Sequence, residues 1–359
     1  MKQKTIKILI VDDSAGMRLL LERIFSEDPA FRVVGTAGDG EEALDAVQRL
    51  APDIITMDIM MPRMDGLEAT RRIMETQPTP IVIVSGNLDK EEVLSSFRAM
   101  EAGALAAVPK PRGIGHPEHG ADVALLVNKV KLMAEIKVVR RWPASHAKRN
   151  APLPLKPVPA GENSRIVAIG ASTGGPAAIN TILSGLPADF PVPILVVQHM
   201  APGFIRGFAE WLGISSLLPV HVAAQEERLV PGHVYIAPEG WHMQAGSGGT
   251  ASLVRSAPEN GQLPSVSTLF RSIAQLYGRG AIGILLTGMG NDGALELKLM
   301  KDAGAVTIAQ DRESSVVFGM PEEAVKLGAA SFVLSPDRIV AYLVSSFGLK
   351  PVTLQEGIR

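Results

Sequence analysis

Apolar residues follow two rhythms along this chain. From Ile6 to about Ile136, short β-branched runs alternate with longer stretches whose apolar positions recur every three or four residues. That alternation is the pattern of strand and helix units wound into a parallel sheet. Five strands are predicted, at Ile6 to Val11, Arg32 to Thr36, Ile54 to Met57, Ile81 to Val84 and Leu105 to Val108. Asp39 and Asp65, each just before a glycine, stand where two of the intervening helices should begin, since a carboxylate there accepts otherwise unpaired backbone N–H groups. Between Arg141 and Asn163 the pattern stops, and Pro143, Pro152, Pro154, Pro157 and Pro159 fall among small and basic residues; this predicts an extended linker. A second strand and helix pattern follows, with strands predicted at Ile166 to Ile169, Ile194 to Val197, Ile282 to Leu286, Ala305 to Ala309 and Phe332 to Leu334. From Val220 to Val254 the apolar residues come in short alternating pieces broken by Pro231, Gly232, Pro238, Gly240 and Gly246, which predicts hairpins beside the parallel sheet. The expected architecture is α/β, with two doubly wound parallel-sheet domains at residues 1–138 and 164–350 joined by a proline-rich linker at 139–163.

Composition supports that division. A chain of 359 residues exceeds the roughly 150 residues of a typical domain, and 46% apolar with 20% charged residues is the balance of a protein that buries real cores. The 35 basic and 37 acidic residues are well mixed, for a net charge of -2. No electrostatic footprint for nucleic acid or anionic lipid is present. Cysteine is absent, which removes disulfides, thiolate metal sites and a thiol nucleophile together. The apolar run Ile8 to Val11 is cut by Asp12 and Asp13 before a secretory segment is complete, and no run reaches the length of about 18 apolar residues that membrane insertion needs. The expected compartment is the cytoplasm.

In a parallel sheet, polar residues at the carboxyl ends of strands face one crevice, where such folds bind ligands. Asp12, Asp13, Asp58, Ser85 and Lys110 all fall at those ends. Any one of the acids could simply cap the next helix, but three converging carboxylates repel one another unless a hard divalent cation holds them, and oxygen ligands suit magnesium. Together with Val11-Asp12-Asp13-Ser14, Met57-Asp58, Met61-Pro62 and Lys110-Pro111, they make this half resemble the response-regulator receiver domains, whose fold is flavodoxin-like. The resemblance implies that Asp58 accepts a phosphoryl group from a histidine kinase, that Asp12, Asp13 and Asp58 hold Mg2+, and that Lys110 and Ser85 contact phosphoryl oxygens. The chemistry agrees, because transfer to a carboxylate needs mainly positioning and charge neutralisation. One position departs: Ala107 stands where many receivers carry an aromatic switch residue.

In the second half, the strand at Ile166 runs into Gly170-Ala171-Ser172-Thr173-Gly174-Gly175-Pro176 and then an apolar helix pattern. This fits a G-x-S-x-G nucleophile elbow, a tight turn that exposes a serine oxygen beside helix amides. A serine in a glycine-rich turn is more often a phosphate-binding or capping residue, so partners are needed. His199 directly follows a predicted strand, whereas His221, His233 and His242 are less well placed. Asp292, in Thr287-Gly288-Met289-Gly290-Asn291-Asp292-Gly293, could orient an imidazole or cap the helix expected from Gly293. The amides of Thr173 and Met289 are positioned to approach an oxyanion.

These strings, with Gln198-His199-Met200-Ala201-Pro202-Gly203-Phe204, Gly232-His233-Val234-Tyr235-Ile236-Ala237-Pro238 and Val317-Phe318-Gly319-Met320-Pro321, closely resemble the chemotaxis protein-glutamate methylesterases (CheB). The resemblance covers essentially the whole chain and implies a Rossmann-like serine hydrolase domain with Ser172, His199 and Asp292 as its triad. It implies Thr173 and Met289 amides as the oxyanion hole, and no cofactor for ester hydrolysis. The implied substrates are methylated glutamates on chemoreceptor cytoplasmic helices, and many members also deamidate glutamines there. Familiar members carry Arg-His-Arg where Gly261-Gln262-Leu263 stands and aspartate where Ser267 stands; if that run meets acidic receptor helices, the substrate is expected to differ here. A DNA-binding output would need a basic helix-turn-helix that is not visible. A nucleotide-binding module lacks the G-x-G-x-x-G spacing, and a non-catalytic output module should lack a triad member, though all three are present.

Overall fold

A computed structural model describes residues 5–86, 90–136, 138 and 165–350. The predicted linker lies outside the described residues. The chain divides into two compact units, Met1–Ala147 and Lys148–Arg359.

The first unit runs β1 (Ile6–Val11), α1 (Ala15–Glu27), β2 (Phe31–Ala37), α2 (Gly40–Leu50), β3 (Ile54–Met57), α3 (Gly66–Thr76), β4 (Ile81–Ser85), α4 (Lys90–Ala102), β5 (Ala106–Pro109) and α5 (His119–Ala134). Its five strands are parallel in the order β2-β1-β3-β4-β5. Strands β3 and β4 are buried along their whole length. Helices cover both faces of such a sheet, and a central strand therefore reads as an unbroken apolar run instead of alternating. Asp39 and Asp65 cap as expected, accepting from Glu41 and Glu42 N–H and from Glu68 N–H respectively.

The second unit continues with β6 (Ile166–Ala171), α6 (Gly175–Ser184), β7 (Ile194–Gln198), α7 (Ile205–Ser215), β8 (Val220–Val222), β9 (Glu227–Arg228), β10 (Val234–Ile236), β11 (His242–Gly246) and β12 (Thr250–Val254). It closes with α8 (Val266–Tyr277), β13 (Ala281–Leu285), α9 (Ala294–Asp302), β14 (Val306–Gln310), α10 (Met320–Lys326), β15 (Phe332–Leu334) and α11 (Pro336–Ser346). Seven strands form a parallel sheet in the order β15-β14-β13-β6-β7-β10-β8. Strand β6 is central and wholly buried. Its core packs Leu195, Tyr235, Leu269, Phe270, Leu285 and Leu297, each at most 1% exposed, and truncating one of the large members to alanine costs about 2–5 kcal/mol.

The region from Val220 to Val254 corrects the hairpin expectation in part. β8 and β10 join the main sheet, parallel to β7 and to each other. Only β11 and β12 form a hairpin, with β9 as a third antiparallel strand. A three-residue strand carries too few side chains to specify the direction of its partner, and the crossing of the chain through β9 decides it.

Candidate active site

Strands β7 and β13 flank β6, so the chain reverses its winding at β6 and opens a crevice at the carboxyl ends of the three strands. Ala171 pairs with Gln198 in register, and Ser172 and His199 therefore leave neighbouring strands side by side. The His199 N–H donates to the Ala171 carbonyl at 3.0 Å and the Ser172 N–H to the Thr287 carbonyl at 3.0 Å. His199 Nε2 lies 2.8 Å from Asp292 Oδ2, which leaves Nδ1 as the ring nitrogen available to Ser172. The Ser172 hydroxyl has no hydrogen-bond partner among the described residues, and such contacts tighten only once substrate is bound in many hydrolases. Gly288 sits against Ser172: a Cβ there would overlap the Met320 sulfur and the Ser172 Cβ.

Thr173 directly follows the serine, and Met289 follows Gly288, which packs against it. Among the described residues, neither the Thr173 nor the Met289 N–H has a hydrogen-bond partner. The peptide between Ser172 and Thr173 is held from its carbonyl side, where the Ser172 oxygen accepts from Gln198 Nε2 at 2.8 Å and from the Gly175 N–H at 2.8 Å. In a trans peptide the N–H points opposite to the C=O, so these two donors turn the Thr173 N–H the other way. Gln198 also donates to the His199 carbonyl at 2.9 Å. Its side chain lies where a Cβ on Gly175 would be, which is why a second glycine follows Gly174. Thr287 Oγ1 braces the same turn from the far side, donating to the Thr173 carbonyl at 2.9 Å.

Asp292 is 3% exposed and does not cap α9. The cap of that helix is Gly293, with no side-chain bond. Its carboxylate instead faces the start of α8, where Oδ2 accepts from the Val266 N–H at 2.7 Å, and Oδ1 from Ser265 Oγ at 2.7 Å and the Ser267 N–H at 3.2 Å. Asn260 Nδ2 adds a bond to Oδ1 at 3.1 Å. Burial alone would push this carboxyl up, but the hydrogen bond and charge of His199, with the bonds from Asn260 and Ser265, outweigh burial and hold it well below the usual carboxylate range. Sequence reasoning missed Gln198, Asn260 and Ser265 as parts of this site. The available signals were the Asn260-Gly261 turn dipeptide and a serine directly before a helical pattern.

In the first unit, Asp12, Asp13 and Asp58 bring carboxylate oxygens within 4.8 Å of one another. Lys110 Nζ bridges Asp12 Oδ2 and Asp58 Oδ2, each at 2.8 Å. Burial, the largest influence, pushes Asp58 up to about 6, aided by the Asp12 charge and opposed by Lys110 and the Ile59 N–H. Burial also lowers Lys110, but the bonds and charges of Asp12 and Asp58 leave it raised overall. Three close carboxylate oxygens are the donor set a hard divalent cation requires. Ser85 is turned elsewhere: its hydroxyl donates to Glu92 Oε1 in the first turn of α4 at 2.6 Å, and the Gly86 N–H donates to the same oxygen at 2.8 Å.

The CheB methylesterase family matches residues 167–343 and the response regulator receiver domain family matches residues 8–116. A protein-glutamate methylesterase/protein-glutamine glutaminase of Geobacter metallireducens is 59% identical over 95% of this chain and 98% of its own length. One from Nitrosospira multiformis is 54% identical over 95% of this chain and 96% of its own length. The chain belongs to the CheB methylesterase family. Among solved structures, the CheB methylesterase catalytic domain of Thermotoga maritima covers 51% of this chain and 98% of its own, at 39% identity and a TM-score of 0.49. The CheB response regulator domain from the same organism covers 37% and 99%, at 35% identity and a TM-score of 0.34. Within this CheB chain, Ser267 borders the Asp292 carboxylate together with its neighbours Ser265 and Val266.

Proposed function

We propose that the chain is a phosphorylation-regulated protein-glutamate methylesterase, acting on chemoreceptor cytoplasmic helices with Ser172 as nucleophile, His199 as general base and acid, and Asp292 as the group that orients and stabilises the imidazolium. The observation that carries this reading is the His199–Asp292 pair, 2.8 Å apart, with His199 at the end of β7 and Asp292 in the loop after β13, the two strands that flank the strand leading into Ser172. Ser172 Oγ attacks the ester carbon while its proton passes to His199 Nδ1. The developing oxyanion is met by the Thr173 and Met289 amides. Collapse expels methoxide, which takes the proton from His199 and leaves as methanol, and a water activated by the same imidazole then hydrolyses the acyl-serine to glutamate. A glutamine substrate follows the same path with ammonia as leaving group, in keeping with the glutaminase activity in its relatives' names. These ester-hydrolysis steps call for no metal or cofactor.

In the receiver, Asp58 is the proposed phosphoacceptor for a histidine kinase, with Asp12, Asp13 and Asp58 as Mg2+ ligands and Lys110 as the cation facing the phosphoryl group. Bound Mg2+ would neutralise charge on the transferring group. The methylated receptors and the kinase are the proposed partners, and the proposed compartment is the cytoplasm. No helix among the described residues is long and apolar enough to cross a membrane. The unphosphorylated receiver is proposed to restrain the hydrolase, with phosphorylation relieving the restraint. The direct test is methanol release from methylated receptor membranes. The native chain should release it, and folded Ser172→Ala should be slower by roughly 10³-fold or more; near-native release by that variant would overturn the assignment.

A further inference from the structure

We propose that Asn260 is a positioning residue for Asp292, holding its carboxylate in the rotation that presents Oδ2 to His199. The inference rests on the triad reading and deepens it. A carboxylate turns about a terminal torsion with broad, weakly defined minima, so neighbouring donors must set its plane. Three of those donors, Ser265 Oγ and the Val266 and Ser267 amides, belong to the start of α8 and move together. Asn260 reaches Oδ1 from the turn at Glu259–Gln262, ahead of the helix, and also donates to Ser267 Oγ at 3.1 Å. It is exposed while Asp292 is 3% exposed, and its amide therefore closes the solvent side of the carboxylate.

The competing explanation is that Asn260 is there only to make a turn. Glu259 and Gln262 exchange backbone hydrogen bonds at 3.0 and 2.9 Å around Asn260 and Gly261, whose φ values are 53° and 73°. Two successive positive φ values are the backbone of a two-residue hairpin loop, in which asparagine and glycine are the favoured residues. That loop makes no use of the Asn260 side-chain amide, which is spent on Asp292 and Ser267. Glycine at 260 would adopt the same φ without strain and remove only the amide, so the two roles can be separated.

The test uses the full chain, phosphorylated, with methylated receptor membranes as substrate. Asn260→Gly should lower kcat about ten-fold with KM unchanged, the effect of losing one hydrogen bond to a charged group. Asn260→Asp, which tolerates the same backbone but sets a carboxylate against Asp292, should be slower still. In an Asp292→Asn background, Asn260→Gly should cost no further activity, because its partner is no longer a carboxylate to be held. Native kcat in Asn260→Gly, or losses that multiply fully in the double variant, would overturn the proposal while leaving the triad intact. If Asp292→Asn alone kept the native rate, the triad reading would fail instead.

Discussion

Asp292, 3% exposed, takes five hydrogen bonds, from His199, Val266, Ser265, Asn260 and Ser267. A carboxyl held below its unfolded value stabilises the fold above that value and loses the contribution as pH falls through the folded one. Stability from this group is thus intact at neutral pH and down to the ordinary value of 3.8, and it is lost on further acidification. Thermal melts between about pH 5 and 2.5 should show the native chain losing stability faster than Asp292→Asn. Parallel curves would mean that the carboxylate is not held as described. Gln198 acts on the nucleophile turn from below, and its two donated bonds go to the carbonyls of Ser172 and His199. Gln198→Met, similar in length and without donors, should leave the Thr173 amide free to turn and reduce kcat by roughly 10²-fold, the usual cost of one lost oxyanion donor. An unchanged kcat in folded Gln198→Met would remove it from that role.

At the scale of elements, two helix starts carry the chemistry in opposite senses. The first turn of α8 directs its N–H groups at Asp292, where the helix dipole favours negative charge. The first turn of α4 brings a carboxylate, Glu92, to the donors Ser85 Oγ and Gly86 N–H. If Ser85 contacts a phosphoryl oxygen on phospho-Asp58, it must first leave Glu92, and the new anion repels that carboxylate. Such an exchange would couple the phosphoryl group to α4 without an aromatic side chain at Ala107. Glu92→Ala should therefore raise the ratio of phosphorylated to unphosphorylated chain about ten-fold at limiting phosphodonor, the worth of a hydrogen bond to a charged group. Intact mass reads that ratio. Equal fractions in native and variant chains would show that Glu92 does not compete.

For the whole molecule, regulation requires two receiver states that differ in their effect on the hydrolase, since a modification that favours both arrangements equally shifts nothing. Cleaving the chain between residues 141 and 163 should give methanol release without phosphodonor at the rate of the phosphorylated intact chain. Asp58→Ala should stay slow with phosphodonor present. A cleaved chain no faster than the unphosphorylated intact one would mean that the receiver works by delivering the enzyme and not by restraining it. Sequence alone was enough for the two α/β units, for every strand of the receiver sheet to within a residue at each end, and for the strand-end positions of Asp12, Asp58, Ser172 and His199. Those features follow from local periodicity and from the rule that parallel strands present their carboxyl ends to one crevice. Only the tertiary structure decided that β8 and β10 run parallel to β7, that Asp292 serves α8 and not its own helix, and that Gln198 and Asn260 hold the site together. Each of those depends on contacts between residues far apart in the chain, 26 positions for Gln198 and Ser172 and 32 for Asn260 and Asp292, and periodicity within one segment carries no information about which distant segment will meet it.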